Sequence, residues 1–171
     1  DVDKVAGRGA GLDDVGLLRK RRVIREALEK YALYKGDALT VLETVGGLDI
    51  AGLAGVCIGG GLFHVPVVLD GVISLAAALA AERMVPGTAA YLLPSHKGKE
   101  PAAEMILREL GLEPVIDAGL ALGEGTGAVM MFSLLDMALA IYRGRTTFGE
   151  ICVEPYKRYE VQNSPSGHLG D

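Results

Sequence analysis

The 171-residue sequence predicts an α/β fold, a three-layer partial parallel sheet with flanking helices. Three times, a short run of apolar and β-branched residues is followed by a segment with helical periodicity, and this alternation predicts right-handed crossovers between parallel strands. The strand-like runs are continuously apolar, as expected for strands that are buried on both faces. Hydrophobic residues make up 50% of the chain, which is enough to build a sizeable core.

Three helices are predicted ahead of the first strand. Their apolar residues recur at three- and four-residue steps or form a continuous run, and two of the helices can begin at an aspartate that caps the first amides. Glycines mark the predicted ends, because glycine readily adopts the left-handed conformation that closes a helix. The predicted helices run from Asp13 or Asp14 to Gly36, from Asp37 to Gly46–Gly47, and over 48–58, the last being a buried helix.

Three strand–helix pairs follow, and their order predicts where a ligand binds. The predicted strands are 65–70, 90–95 and 113–118, and the helices that follow them are 73–84, 100–110 and 127–143. In open parallel sheets, ligands bind beyond the carboxyl ends of the strands. Those ends carry polar or glycine-rich segments here, namely Asp70–Gly71, 95–98 and 119–127. We therefore expect one α/β unit over 1–150 and a polar tail over 151–171.

Composition excludes several classes of protein. The net charge of −5 argues against a nucleic-acid-binding protein, which would carry a basic face. Two cysteines are too few for a disulfide framework, which indicates a reducing cytoplasm. Charged and helix-breaking residues interrupt the apolar stretch 48–69, so buried elements are favoured over a membrane span. The three histidines share no metal-ligand spacing, and no metal site is predicted.

Two glycine-rich motifs share the spacing G-x-G-x-G, GRGAG at 7–11 and GEGTG at 123–127, and a third cluster occupies 59–61. Such clusters predict loops in which the backbone approaches another group closely. Neither motif has the third glycine of a dinucleotide fingerprint or the lysine of a P-loop. The loops are therefore either tight turns only, or helix starts whose amides bind a phosphate or a carboxylate. Spacing leaves both interpretations open.

Two carboxylates are candidates at the predicted edge of the sheet. Glu124, with a glycine on each side, is either a partner of the helix dipole or a general base. Asp70, which ends a buried strand, is either a site residue or the cap of a turn. The basic run RKRR, 19–22, is typical of a solvated helix face, although one member could reach an anion. The residue pattern alone does not choose between these alternatives.

Five motifs occur in an order that resembles a known enzyme family. They are GRGAGLDDVGLLRK, VLETVGGLDIAGLAGV, PVVLDGVISLAAALAA, YLLPSHKGKEPA and LGEGTGAVM, within a region that extends from about Val5 to Thr147. The chain resembles the nicotinate-nucleotide–dimethylbenzimidazole phosphoribosyltransferase family, and specifically the C-terminal half of a typical member. The resemblance implies a Rossmann-like α/β domain. It also implies transfer of phosphoribosyl from nicotinate mononucleotide to 5,6-dimethylbenzimidazole, which gives α-ribazole phosphate and nicotinate in cobalamin nucleotide-loop assembly.

The resemblance also implies roles for individual residues. Glu124 matches the glutamate of the family motif L-G-E-G-[ST]-G, which is the general base that accepts a proton from the attacking benzimidazole. No metal and no redox cofactor is implied. The further positions that the match implies in substrate binding are Gly9, Lys20, Leu122, Gly123 and, in a supporting role, Asp70.

Two positions depart from the family pattern. Ala121 stands where the family usually has an arginine before L-G-E-G, and Gly98 stands where the motif S-H-x-S-x-E has its second serine. Both positions remain candidates for substrate binding, because the missing groups would help to hold the phosphate or ribose of the nucleotide. The departures motivate an alternative function, a degenerate non-catalytic module that binds a nucleotide or an azole. Family activity on another acceptor, such as a phenol or adenine, is a third possibility.

The resemblance covers only half of a typical family member, and the chain begins at Asp1 and not at a methionine. We therefore expect the chain to be part of something longer or to act together with a second chain. The predicted small-molecule partners are nicotinate mononucleotide and a benzimidazole-type base. The predicted protein partner is the missing N-terminal half or a second copy in a homodimer. Neither a nucleic acid nor a membrane is expected as a partner, and the predicted location is the cytoplasm.

Overall fold

The structure is a computed structural model that describes residues 1–9, 11–120, 123–144 and 146–157. The chain divides into two compact units, Asp1–Asp136 and Met137–Asp171. The predicted α/β class is confirmed, since helices accompany a small parallel sheet in the first unit. The elements are α1 (Val2–Val5), α2 (Asp14–Lys30), α3 (Ala38–Val45), α4 (Leu48–Phe63), β1 (Val67–Leu69), α5 (Val72–Met84), β2 (Leu92–Pro94), α6 (Pro101–Leu110) and α7 (Thr126–Gly144).

Two aspartates begin helices as the sequence predicts. Asp13 precedes α2, and its Oδ1 accepts a hydrogen bond from the Gly16 amide at 2.7 Å. Asp37 precedes α3 and accepts from the Thr40 amide at 2.8 Å. The bond from Thr40 holds the pKa of the Asp37 carboxyl below its usual range, because it favours the charged form. The cap therefore stabilises the fold at neutral pH, and this contribution is lost as the pH falls through the lowered pKa.

The end of α2 differs from the prediction. The helix stops at Lys30 and not at Gly36, and Leu33–Lys35 form a separate 3₁₀ turn. Ala32 lies between the two with a φ of 49°, a left-handed conformation that interrupts the helix. Gly36 has a φ of −76° and an extended backbone, so it ends the 3₁₀ turn without the left-handed conformation that the prediction assigned to it.

The glycines at 59–61 lie inside α4, so the loop predicted there is wrong. The helix continues to Phe63 and closes at His64, which is left-handed with a φ of 56°. A close backbone approach does exist at this place, because a Cβ on Gly60 would lie 2.5 Å from Val67 Cγ2. Glycine is needed here so that the helix can pack against β1.

Only part of α4 is buried, although a buried helix was predicted. Ala54, Cys57 and Gly60 recur every three residues and lie in the core. At the two ends of the helix, Leu48 is 94% exposed and Phe63 is 77% exposed. Burial raises the pKa of the Cys57 thiol, so this thiol stays protonated at neutral pH and serves as an apolar side chain.

The two strands pair in parallel, with Val67 opposite Leu92 and Leu69 opposite Pro94. Helix α5 connects them and packs on β1, α4 and α6, which is the β–α–β unit that the sequence predicts. Small residues allow the close packing of α5. Its core positions are Leu75, Ala77, Ala78 and Ala81.

The third predicted strand, 113–118, is reduced to a single parallel bridge between His96 and Ile116. The Ile116 amide donates to the Ser95 carbonyl at 3.0 Å. Pro114 has no amide hydrogen and cannot extend this ladder toward the amino end. The predicted strand is therefore wrong in length, although the segment lies beside the residues that follow β2, as predicted.

Helix α7 is the one helix in the described part of the chain with the length and hydropathy that a membrane span requires. It has 19 residues, and 11% of its apolar window is buried. The core helix of a soluble protein meets the same two criteria. Length and composition alone therefore do not make α7 a membrane helix.

Glu82 holds the turn that leads into β2. Its Oε1 accepts from the Gly87 amide at 3.0 Å, and its Oε2 accepts from the Ala89 amide at 2.7 Å. Glu82→Gln turns one acceptor into a donor that faces an amide, so we expect urea denaturation to give an unfolding free energy about 1–3 kcal/mol lower. Glu109→Gln, which removes an exposed ion pair with Arg83, should change it by less than about 1 kcal/mol. Equal losses in both variants would contradict the role of Glu82.

Candidate functional site

Asp70, directly after β1, contacts the start of α7. Its Oδ2 accepts a hydrogen bond from the Gly125 amide at 3.1 Å. Its Oδ1 accepts from the amides of Gly127 at 2.9 Å and Ala128 at 3.2 Å. We refer to this carboxylate and the three amides as the Asp70 cap. Charge-assisted bonds at the positive end of a helix dipole are favourable, so the cap joins the end of the strand firmly to the start of the helix.

Glu124 lies immediately before this cap, in a segment that we call the glutamate loop, Gly123–Gly125. Its φ of 62° lies in the left-handed region that favours glycine, and the following Gly125 has a φ of 81°. Holding a non-glycine residue in this region costs on the order of 1–3 kcal/mol. The Glu124 side chain is exposed. The loop therefore presents a carboxylate from a strained backbone, an arrangement that occurs often at functional sites.

Two buried polar residues after β2 support Asp70. Ser95 is 0% exposed and His96 is 3% exposed. The Ser95 hydroxyl donates to the Asp70 carbonyl at 3.4 Å and lies 3.0 Å from His96 Nδ1. Because a hydroxyl has only one hydrogen, Nδ1 is then the donor to the serine oxygen. His96 Nδ1 also lies 3.9 Å from Asp70 Oδ1, so the ends of the two strands are linked through side chains.

Gly127 lies against the ring of His96. A Cβ on Gly127 would be 2.6 Å from His96 Cε1 and 2.9 Å from Cγ, which is closer than carbon atoms can approach. Two glycines of the GEGTG motif are therefore needed for different reasons. Gly125 makes a left-handed turn, Gly127 allows close packing, and the amides of both bind the Asp70 carboxylate.

The GRGAG loop is held by Lys20, whose Nζ donates to the Gly7 carbonyl at 2.9 Å. Gly9 is left-handed with a φ of 61°, and a Cβ on it would lie 4.0 Å from the same Nζ. On its other side the loop approaches α6, because a Cβ on Gly7 would lie 3.4 Å from Pro101 Cδ. The structure thus brings Gly9 and Lys20 together, beside the helix that follows β2.

Arg21 and Arg22 of the basic run, and Arg25 just after it, pair with acidic side chains. Arg21 Nε lies 3.5 Å from Asp3 Oδ1, and Arg25 also pairs with Asp3. Arg22 pairs with Glu26 at 3.5 Å along the same helix. The Arg22 pair agrees with the solvated helix face that the sequence predicts, because the Arg22 side chain is 70% exposed. Arg21, whose side chain is 25% exposed, and the bond of Lys20 are partly buried.

Four further candidate positions remain. Ala121 and Leu122 lie outside the described residues. Gly98 is half-buried, and a Cβ on it would be in ordinary contact with the Ala103 Cβ at 3.8 Å. A Cβ on Gly123 would meet no atom of the described residues within 4 Å. Gly98 and Gly123 therefore both have room for a larger side chain or a ligand.

The chemistry available at this edge of the sheet comes from a carboxylate and from backbone amides. Among the residues that the structure describes, there is no group of three or more His, Cys, Asp or Glu residues that could hold a metal ion. Glu124 can accept a proton, because its carboxylate is exposed. The amides of the GRGAG loop can bind an anion beside Lys20.

A family model described as Phosphoribosyltransferase matches residues 1–153. The chain belongs to this family. Similar proteins of this phosphoribosyltransferase family carry the name nicotinate-nucleotide–dimethylbenzimidazole phosphoribosyltransferase, which confirms the resemblance. The one from Roseiflexus sp. (strain RS-1) is 48% identical over 149 residues, which are 87% of this chain and 42% of the relative. The one from Acetivibrio thermocellus is 41% identical over 156 residues, which are 91% of this chain and 44% of the relative.

A solved structure is similar to this phosphoribosyltransferase chain over most of its length. The crystal structure of CobT from Thermus thermophilus gives a TM-score of 0.82 at 39% sequence identity. The match covers 90% of this chain and 45% of that chain. The α/β fold class is thereby confirmed, and the chain spans less than half the length of the relatives that it matches.

Ser95 and His96 belong to the segment 95–98 that the sequence analysis places at a strand end, but that analysis assigns neither residue a role of its own. Their signal is present in the sequence, since a serine and a histidine follow directly after an apolar strand-like run. Polar residues at that place lie at the ligand-binding edge of a parallel sheet. A search for the sequence spacing of metal ligands does not detect His96, because the groups next to it are the Ser95 hydroxyl and the Asp70 carboxylate.

Proposed function

We propose that this phosphoribosyltransferase moves phosphoribosyl from nicotinate mononucleotide to 5,6-dimethylbenzimidazole, giving α-ribazole phosphate and nicotinate. The observation that carries the proposal is Glu124, an exposed carboxylate on a left-handed residue at the carboxyl end of parallel strands. Such a carboxylate suits a reaction in which one proton is removed from the attacking group. The names of the curated relatives support the same reaction.

The reaction needs one bond to form, one to break and one proton to move. A benzimidazole nitrogen attacks the anomeric carbon of nicotinate mononucleotide opposite the nicotinate, which leaves with the electrons of the broken C–N bond. Positive charge moves onto the benzimidazole ring, and the Glu124 carboxylate accepts the proton from its other nitrogen. The same negative charge stabilises an oxocarbenium-like sugar in the transition state. Attack from the opposite face converts the β-linkage into an α-linkage.

We assign the nucleotide to the two glycine loops. Gly9 and Lys20 lie next to each other, and a lysine beside the backbone of a glycine loop suits the phosphate group. Gly123, together with Leu122 and Ala121, provides the backbone that approaches the nucleotide next to Glu124. The proposed reaction uses no metal ion and no redox cofactor.

The proposed activity requires the part of the family that this chain does not span. The chain covers 42% of the Roseiflexus relative and 44% of the Acetivibrio relative. Leu62 and Phe63, at the end of α4, are 64% and 77% exposed, and apolar surface of this kind favours association. We propose that an N-terminal half of the family type, in the same or a second chain, or a second copy in a homodimer, covers this surface. The reaction then takes place in the cytoplasm.

The test uses a protein that we call the full-length fusion. It joins the N-terminal part of the Roseiflexus relative, which this chain does not match, to the start of this chain. Given nicotinate mononucleotide and dimethylbenzimidazole, the full-length fusion should release nicotinate and α-ribazole phosphate, which chromatography separates. The chain alone should be much slower. A folded full-length fusion that releases no nicotinate would contradict the proposal.

The alternative is a module that binds a nucleotide or an azole without turnover, and the observations that favour it are Ala121 and Gly98. Calorimetry on the full-length fusion separates the two functions. Heat of binding without nicotinate release favours the module, whereas binding with release favours the enzyme. Replacing dimethylbenzimidazole by a phenol or adenine in the same assay identifies the acceptor.

Gly98→Ser should strengthen nucleotide binding. A side chain fits there, because a Cβ on Gly98 is only in ordinary contact with Ala103. A hydrogen bond to a charged group contributes about 1.5–3 kcal/mol. We therefore expect the Kd of the full-length fusion for nicotinate mononucleotide, measured by calorimetry, to fall about tenfold or more. Gly98→Ala is the matched control, and an equal fall in both variants would show that the hydroxyl is not responsible.

A further inference from the structure

We propose that Asp70 is the positioning residue of this reaction. The Asp70 cap holds the glutamate loop so that the Glu124 carboxylate faces the substrate and does not bind its own helix. The proposal rests on the proposed function, because it assumes that Glu124 is the base. Asp70 itself acts through Glu124 and need not touch the substrate.

The amides at the start of α7 need an acceptor, and Glu124 would otherwise supply it. The first amides of a helix have no partner within the helix. The glycines of the glutamate loop have no side chain to offer, and the Thr126 hydroxyl donates to the Gly123 carbonyl at 3.0 Å. Glu124 stands three residues before Gly127, the spacing at which a capping side chain accepts an amide hydrogen. Asp70 already occupies that amide at 2.9 Å, which leaves the Glu124 carboxylate free.

The Asp70 cap also fixes the peptide that follows Glu124. The Gly125 amide belongs to the same peptide unit as the Glu124 carbonyl, and it donates to Asp70 Oδ2 at 3.1 Å. This bond holds Glu124 in its left-handed conformation from the C-terminal side. Asp70 is itself fixed, because its side chain is 19% exposed and two residues after β2 contact it. Ser95 bonds its backbone carbonyl, and His96 lies beside its carboxylate.

The first test is Asp70→Asn in the full-length fusion. Asparagine has the same size, but its NH2 group would face a backbone amide that donates a hydrogen bond to the carboxylate in the wild type. Because a displaced base reacts slowly, we expect kcat to fall about 10–100-fold. The KM for nicotinate mononucleotide should stay within about threefold, since the variant removes no contact to the nucleotide. Asp117→Asn is the matched control, as this carboxylate is 73% exposed and lies 3.9 Å from Lys97 Nζ, and it should keep the wild-type kcat.

A double-mutant cycle separates positioning from a general loss of structure. If Asp70 acts through the base, Asp70→Asn should lower kcat in the wild type but cause no further loss in the Glu124→Gln background. An equal fold-change in both backgrounds would overturn the proposal, because Asp70 would then act independently of Glu124. A wild-type kcat in Asp70→Asn would overturn it as well.

Amide hydrogen exchange in the same proteins gives a readout that does not need turnover. The amides of Gly125, Gly127 and Ala128 should lose protection in Asp70→Asn while those of α2 keep theirs. If Asp70→Asn does not fold, Ser95→Ala takes its place in the cycle, since it keeps the carboxylate but removes a bond that fixes Asp70. Unchanged kcat and unchanged exchange in a folded Ser95→Ala would then overturn the proposal.

Failure of the proposed function looks different from failure of this inference. Full turnover in Glu124→Gln would exclude Glu124 as the base, whatever the kcat of Asp70→Asn. Slow turnover in Glu124→Gln together with normal turnover in Asp70→Asn would support Glu124 as the base and exclude Asp70 as its positioning residue.

Discussion

Glu124→Gln is expected to lower the kcat of the full-length fusion by about 10²–10⁴-fold, because glutamine cannot accept the benzimidazole proton. The geometry of the loop should survive, since the bonds that hold it come from Asp70 and Thr126 and not from the Glu124 side chain. Substrate binding should therefore change little, and the loss should appear in kcat rather than in KM. Steady-state release of nicotinate measures both quantities.

Glu104→Gln is the control for this substitution. Glu104 lies on α6 in an exposed ion pair with Arg108 at 3.3 Å, so its loss should leave kcat at the wild-type value. Full turnover in Glu124→Gln would exclude Glu124 as the base. A large rise in KM at constant kcat would assign Glu124 to substrate binding and not to proton transfer.

Gly127→Ala is expected to destabilise the chain by about 3 kcal/mol, at the upper end of what overpacking usually costs. The added methyl group would enter the ring of His96, which is 3% exposed and has little room to move. Moving α7 away instead would break the hydrogen bonds from Gly127 and Ala128 to Asp70. The free energy of unfolding in urea, followed by circular dichroism, measures the loss.

The same substitution at Gly55 provides a comparison without the clash. Gly55 is an exposed residue of α4, and a Cβ on it would meet no atom of the described residues within 4 Å. Alanine there should stabilise the chain by about 0.5–1 kcal/mol, because glycine is a poor residue for a helix interior. If Gly127→Ala were as stable as the wild type, the packing of His96 against Gly127 would have to be different.

Features that depend on neighbouring residues could be predicted from the sequence. The starts of α2 and α3 follow from Asp13 and Asp37, each of which caps an amide three residues ahead. The end of α6 follows from Gly111, which has the left-handed φ of 66° that closes a helix. The position of Glu124 at the sheet edge follows from the order of strands and helices.

Features that depend on distant contacts could not be predicted in this way. The length of the third strand depends on how many of its residues pair with the backbone after β2, and Pro114 limits that number because it has no amide hydrogen. Gly60 and Gly127 look alike as sequence, but one packs on a strand and the other on a histidine ring. The partners of Asp70 are amides from another part of the chain, for which spacing gives no signal.

The Asp70 cap also bears on the order in which the molecule folds. Asp70 and Gly125 are 55 residues apart, so the carboxylate reaches the amide only after α5, β2 and α6 have closed the chain between them. Contacts between distant residues bear the entropy of closing a long loop and tend to form slowly. We therefore expect the glutamate loop to become ordered late in folding, after the strands and helices that precede it in the chain.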